Sequence, residues 1–206
     1  QRVVKFTLDA PRPGEIGVVE ELLVDRAFVE DPQEASALAE LSDINPQAPH
    51  NVANALAAMA LARSCGVKVE SISEGLRNFT PGHHRIEEVE NLSGIRWIND
   101  SKATNPHAAN ASLAAFSSIV WIAGGLAKGA DMEDLVKSKA SRLKAVLLIG
   151  TDRELISDAL TKHAPEIPKY LIDGDSSEEL MEKLIIKGME LAVSGDVVLL
   201  APACGH

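Results

Sequence analysis

Residues 99–106, Asn-Asp-Ser-Lys-Ala-Thr-Asn-Pro, put six polar side chains into eight positions, with one carboxylate and one ammonium among them. They follow the apolar-alternating run Gly94-Ile95-Arg96-Trp97-Ile98, so the loop leaves a strand end. Asn105 suits a helix N-cap and Pro106 the first helical turn, and a helix N-terminus favours anions. Capping accounts for Asn105 and Pro106 but leaves residues 100–104 unexplained. Asp100 could accept from a ribose hydroxyl or hold a magnesium-bound water. Lys102 could meet a phosphate or a carboxylate, and Ser101 and Thr104 could donate hydrogen bonds.

Three further stretches carry the same kind of chemistry. Gly124-Gly125-Leu126-Ala127-Lys128-Gly129-Ala130-Asp131 follows another apolar run. Its glycines allow close backbone approach to a ligand and Lys128 supplies charge for an anion, while a plain turn with Asp131 capping a helix fits equally well. The Walker spacing of glycines and lysine is absent. In Gly82-His83-His84-Arg85-Ile86-Glu87, adjacent histidines on a strand point to opposite faces, which argues against a metal pair. Arg85 could clamp a phosphate or pair with Glu87 across a domain junction. Asn51 and Asn54 lie three apart at the start of an Ala-rich helix, where two amides can read a base or ribose, or cap the helix and bond internally.

These groups sit in a chain of 206 residues with 46% hydrophobic and 24% charged residues, a globular composition. Aromatics are only 3%, so Leu, Ile, Val and Ala must build the core. The net charge of -10 argues against a nucleic-acid backbone as partner. No apolar run approaches the length of a membrane span. The two cysteines lack metal-type spacing and read as reduced thiols. Motifs for hydrolase triads, zinc sites and nicotinamide binding are missing.

The elements that must position these groups fall into two parts. Residues 1–45 are expected to be β-rich, with strands over 3–8, 17–24 and 26–29, followed by helices over 52–64 and 71–77. Ser71 and Glu74 are spaced as a capping box, and Gly66 suits a helix stop. A boundary is expected at Thr80-Pro81-Gly82. Beyond it, strands over 86–89, 95–98, 119–123, 145–149, 170–172 and 197–200 alternate with helices over 106–115, 132–140, 153–161 and 178–192. That alternation predicts an α/β unit with a mostly parallel sheet. Ligands then sit beyond the strands' carboxyl ends, so the turns after Ile98, Ala123, Ile149 and Leu200 form one candidate surface.

Taken in order, "HNVANALAAMALA", "GHHRIE", "NDSKATNP", "GG…KGADM" and "VVLLAPAC" resemble the second half of a Mur ligase. The central loop is most similar to the branch of that family that adds D-glutamate. The resemblance runs from about His50 to Cys204 and is weaker over the first 45 residues. It implies that residues 1–81 belong to the central ATPase domain and 82–206 to a C-terminal Rossmann-like domain. It also implies a cytoplasmic, monomeric enzyme of peptidoglycan precursor synthesis. That enzyme joins D-glutamate to UDP-N-acetylmuramoyl-L-alanine through an acyl phosphate, using ATP and magnesium, with neither nucleic acid nor membrane as partner. By the same resemblance Asn51, Asn54, Arg85 and Asp100 are nucleotide-binding, Lys102 and Thr104 catalytic, and Thr104 and Lys128 contact D-glutamate.

The family's P-loop, its metal ligands and its sugar-binding domain have no counterpart here, so the chain is read as a fragment, inactive alone. Gly205-His206 could derive from a tag, and its source stays open. Two alternatives stay open: another Mur or folylpolyglutamate-type amide ligase, or a non-catalytic nucleotide-binding module.

Overall fold

The computed structural model describes residues 3–31, 33–80, 82–127 and 129–205. It divides into two compact units, residues 1–81 and 82–206.

In the first unit, β1 (Lys5–Phe6), β2 (Glu15–Val19), β3 (Leu22–Asp25) and β4 (Ser36–Glu40) form one sheet in that order. The strand expected over 17–24 is a hairpin instead: β2 and β3 pair antiparallel across Glu20-Glu21, and Glu20 takes a φ of 53°. No glycine or asparagine marks this turn, which hid it. The expected strand over 26–29 is a loop, because the buried Asp25 carboxylate accepts from Ala27 N (2.7 Å) and Phe28 N (2.9 Å) and curls the chain. Its other oxygen accepts from Arg63 Nε at 3.0 Å, tying the strand end to a helix.

That helix, α1 (Pro49–Ser64), begins with Pro49 at its first position and Ala48 as a cap without a side-chain bond. Asn51 therefore lies inside the first turn and is not the cap; its amide donates to Pro46 O at 3.1 Å. The helix stops at Gly66, whose φ of 78° closes it with bonds from Gly66 N to Arg63 O and Val67 N to Ala62 O. The helix α2 (Val69–Arg77) starts two residues before Ser71, so the expected capping box does not form. Ile16, Leu23, Leu38, Leu56 and Met59 fill the core between sheet and helices.

The second unit is the α/β architecture the alternation predicts. Its strands are β5 (Glu87–Leu92), β6 (Ile95–Asn99), β7 (Ile119–Gly124), β8 (Leu143–Ile149), β9 (Lys169–Leu171) and β10 (Val197–Leu200). They are ordered β5-β6-β10-β7-β8-β9, with β5 antiparallel and the rest parallel. The helices are α3 (Pro106–Ala114), α4 (Glu133–Lys139), α5 (Arg153–His163) and α6 (Ser177–Leu191).

Strand β7 is buried at every residue, as expected where helices cover both faces. Val120, Ile122, Ala145, Leu147 and Val198 pack with Leu184 of α6. The alternate residues Trp121, Val146, Leu148 and Leu199 point to the opposite face and are equally buried. Asp196 ties the loop before β10 to the unit by accepting from Ser118 Oγ (2.6 Å), Lys144 Nζ (2.5 Å) and Val193 N (2.8 Å). Burial alone would raise its pKa, but these donors outweigh burial and hold the carboxyl below the usual range. Among the described residues no helix is long and apolar enough to cross a membrane.

Candidate active site

Parallel strands β6, β10, β7 and β8 lie side by side, so the turns leaving their carboxyl ends share one edge. Backbone hydrogen bonds stitch those turns together. Asp100 N donates to Leu200 O, Ala203 N to Ala103 O and Gly124 N to Pro202 O, each at 2.8 Å. Trp121 Nε1 donates to Ala201 O at 2.8 Å. Ala203 holds a φ of 61°, a costly conformation for a residue with a Cβ, and its N–H bond to the loop at Ala103 helps fix it there. Gly205, a candidate tag remnant in the sequence, pairs with Leu126 through two bonds and is part of this cluster.

Gly124 and Gly125, at the end of β7, serve the chain's own packing. A Cβ on Gly124, at a φ of 120°, would lie 1.9 Å from Ile149 O. The pair Gly124-Gly125 thus lets two strand ends touch. Asp152 completes this turn, accepting from Ala127 N at 2.8 Å while its own N–H reaches Gly125 O at 2.9 Å. Lys128 follows directly and lies outside the described residues. Cys204 is buried beside these turns; burial and then the Asp152 charge push its thiol up, so it makes a poor nucleophile.

The loop 99–105 is a built object. Asn99 Oδ1 accepts from Ser101 N at 3.0 Å, Ala103 N donates to Asp100 O at 2.8 Å, and Thr104 N to Lys102 O at 2.9 Å. Asn105 caps α3 by accepting from Ala108 N at 2.9 Å, with Pro106 next, as its sequence predicts. Asp100 is 7% exposed, and its Oδ2 accepts from Ser112 Oγ. Lys102 is exposed and its ammonium has no partner among the described residues; Thr104 is half-buried.

The turn before β5 docks onto this loop. His84 O accepts from Lys102 N at 3.3 Å, and His84 Nδ1 meets Asn99 Nδ2 at 2.8 Å. His83 and His84 are in this turn, not on a strand, with ring centroids 6.2 Å apart. His84 and Ile86 both take positive φ, 66° and 48°, so the strand expected to begin at Ile86 begins one residue later, at Glu87. Glu87 does not pair with Arg85. It accepts from His84 N at 2.8 Å and meets His83 Nδ1 at 2.9 Å, contacts that hold its carboxyl below the usual range. Arg85 stays exposed and unpaired among the described residues.

Arg85, Asp100, Lys102 and Thr104 are thereby gathered at one corner of the second unit. Asn51 and Asn54 lie in the first, half-buried and exposed respectively on α1. A groove of about 720 Å³ begins at Pro106, just past the loop, and runs between α3 and α4 past His107 and Leu135. Sequence reasoning missed Ser112 and Asp152. Ser112 looks like one small residue in an Ala-rich helix, whereas Asp152 sits in a polar turn after a buried strand and could have been found that way.

Residues 84–204 match the family model described as Mur ligase, glutamate ligase domain. The chain belongs to the Mur ligase family. The match spans the docked turn, the loop and the strand-end cluster of this Mur ligase chain. Over 205 residues it is 57% identical to the UDP-N-acetylmuramoylalanine--D-glutamate ligase of Streptomyces avermitilis, covering 98% of this chain and 44% of that protein. The Thermobifida fusca protein of the same name is 56% identical, with 98% and 43% covered. This Mur ligase chain thus spans a little under half the length of the curated relatives it matches. The fold is similar to that of the Acinetobacter baumannii UDP-N-acetylmuramoylalanyl-D-glutamyl-2,6-diaminopimelate--D-alanyl-D-alanyl ligase, with a TM-score of 0.64 at 18% identity, covering 97% of this chain and 43% of that one.

Proposed function

We propose that this chain is part of an ATP-dependent UDP-N-acetylmuramoyl-L-alanine:D-glutamate ligase of peptidoglycan precursor synthesis, and that its own part is to hold the nucleotide and the incoming amino acid. The observation that carries this reading is the identity of 57% with a ligase of that name over nearly the whole chain. In the proposed reaction ATP phosphorylates the alanyl carboxylate, giving an acyl phosphate and ADP. The D-glutamate amine, having lost a proton, attacks the acyl carbon. A tetrahedral intermediate collapses, the C–N bond stays, the C–O bond to phosphate breaks, and inorganic phosphate leaves.

Such chemistry asks the protein mainly for positioning and for charge at the developing oxyanions. Lys102 and Thr104 are the catalytic groups in this reading: an unpaired ammonium and a hydroxyl beside the N-terminus of α3 suit a phosphate passing between donor and acceptor. Asp100 binds the ribose, Asn51 and Asn54 the adenine side, and Arg85 a phosphate. Thr104 and Lys128 bind the D-glutamate carboxylates. The enzyme works as a cytoplasmic monomer on small molecules within a longer polypeptide. Magnesium accompanies ATP in this reading. Among the described residues no group of three His, Cys, Asp or Glu side chains could hold a metal.

The acceptor assignment is tested by lysine modification in the full-length polypeptide. D-Glutamate is expected to slow acylation of Lys128 at least several-fold, with L-lysine and meso-diaminopimelate without effect. Protection by either of those, or by none of the three, contradicts the acceptor assignment.

A further inference from the structure

Among the described residues three carboxylates are nearly buried, and they divide by how fully they are bonded. Asp25 takes three donors, from Ala27 N, Phe28 N and Arg63 Nε. Asp196 also takes three, from Ser118, Lys144 and Val193. Each includes a cation, as burying a charge requires. Asp100, 7% exposed, receives a single side-chain hydrogen bond, from Ser112 Oγ, and no cation pairs with it among the described residues. A carboxylate has about four acceptor sites, so Asp100 is under-satisfied where its two buried counterparts are not. Its backbone leaves no slack: N–H is fixed to Leu200 O and C=O to Ala103 N, each at 2.8 Å. The only freedom left is rotation of the side chain, and Ser112 removes it.

Ser112 is 1% exposed on α3, and its hydroxyl has one proton for two acceptors, Asp100 Oδ2 and Ala108 O at 3.1 Å. The charged oxygen is the stronger acceptor. We infer that Ser112 is a positioning residue: it pins Asp100 Oδ2 from behind so that Oδ1 is presented to the paired hydroxyls of the ATP ribose. This rests on the ribose reading of Asp100 and extends it to a residue that touches no substrate. A neutral hydroxyl partner suits the task, because a lysine or arginine there would neutralise the carboxylate and compete with a ligand for its oxygens.

The test compares ATP with 2′,3′-dideoxy-ATP in the full-length polypeptide, measuring nucleotide KM and kcat. The wild type is expected to bind the dideoxy nucleotide about tenfold more weakly, the effect of hydrogen bonds to a charged group. Ser112→Ala is expected to raise KM for ATP about five- to tenfold with kcat within twofold, and to lose most discrimination between the two nucleotides. Ser112→Thr, which keeps the hydroxyl, is expected to discriminate as the wild type does. If Ser112→Ala still discriminates tenfold, the positioning role is overturned while the ribose reading stands. If the wild type itself does not discriminate, the ribose reading falls and the inference with it. Should Ser112→Ala fail to fold, Ser112→Cys fills the site with a weak donor. Intermediate discrimination is then expected, and full discrimination overturns the role.

Discussion

Replacing Lys102 with alanine in the full-length ligase is expected to lower kcat by about 10²–10³-fold, the cost of removing one preorganised group that stabilises developing charge. Phosphate release under saturating substrates would measure it. The argument rests on what the ammonium lacks. Lys102 is exposed and bonds to nothing among the described residues through its side chain, while its backbone is fixed by His84 O. Truncation therefore takes nothing from the fold, and the thermal midpoint should move by no more than ordinary surface changes do, within about 0.5 kcal/mol. Lys102→Arg keeps the charge but spreads it over a planar fork, so an intermediate kcat is expected. A Lys102→Ala enzyme with wild-type kcat would remove Lys102 from the catalytic set.

The second large effect is on stability. Gly124→Ala is expected to cost more than about 3 kcal/mol, combining the strain of an unfavourable φ with overpacking. The added Cβ would overlap Ile149 O at 1.9 Å, and that oxygen belongs to backbone held in the middle of the sheet's carboxyl edge. Gly129→Ala is the control. Its φ of 79° is also positive, but a Cβ there meets nothing within 4 Å, so only the backbone term of about 1 kcal/mol remains. Urea unfolding of the two variants separates overlap from strain. A Gly124→Ala protein as stable as Gly129→Ala would mean the strand ends can part freely, against the packing described above.

The sheet of the second unit was legible because its central parallel strands are short apolar runs closed by polar turns. Buried strands β7, β8 and β10 have no choice of face, so their sequences are nearly continuous Val, Ile, Leu and Ala. The first unit was harder. Strand β4, Ser-Ala-Leu-Ala-Glu, has no β-branched residue to mark it, and pairing with β3 overrides its weak propensity. At the site, residue types pointed to loops that could carry chemistry but not to what each residue touches. Nothing in Ala-Ser-Leu announces that Ser112 reaches back twelve positions to Asp100. Likewise, a Gly-Gly pair does not say in sequence that its first member must make room for Ile149 O.

The central claim, that this chain belongs to a ligase adding D-glutamate, is tested most directly by acceptor-dependent phosphate release. The full-length polypeptide would be given ATP, magnesium and UDP-N-acetylmuramoyl-L-alanine, with D-glutamate, L-glutamate, L-lysine or meso-diaminopimelate added separately. Sustained phosphate release with D-glutamate alone is the predicted result. Release driven by another of these amino acids, or by none of them, would contradict it.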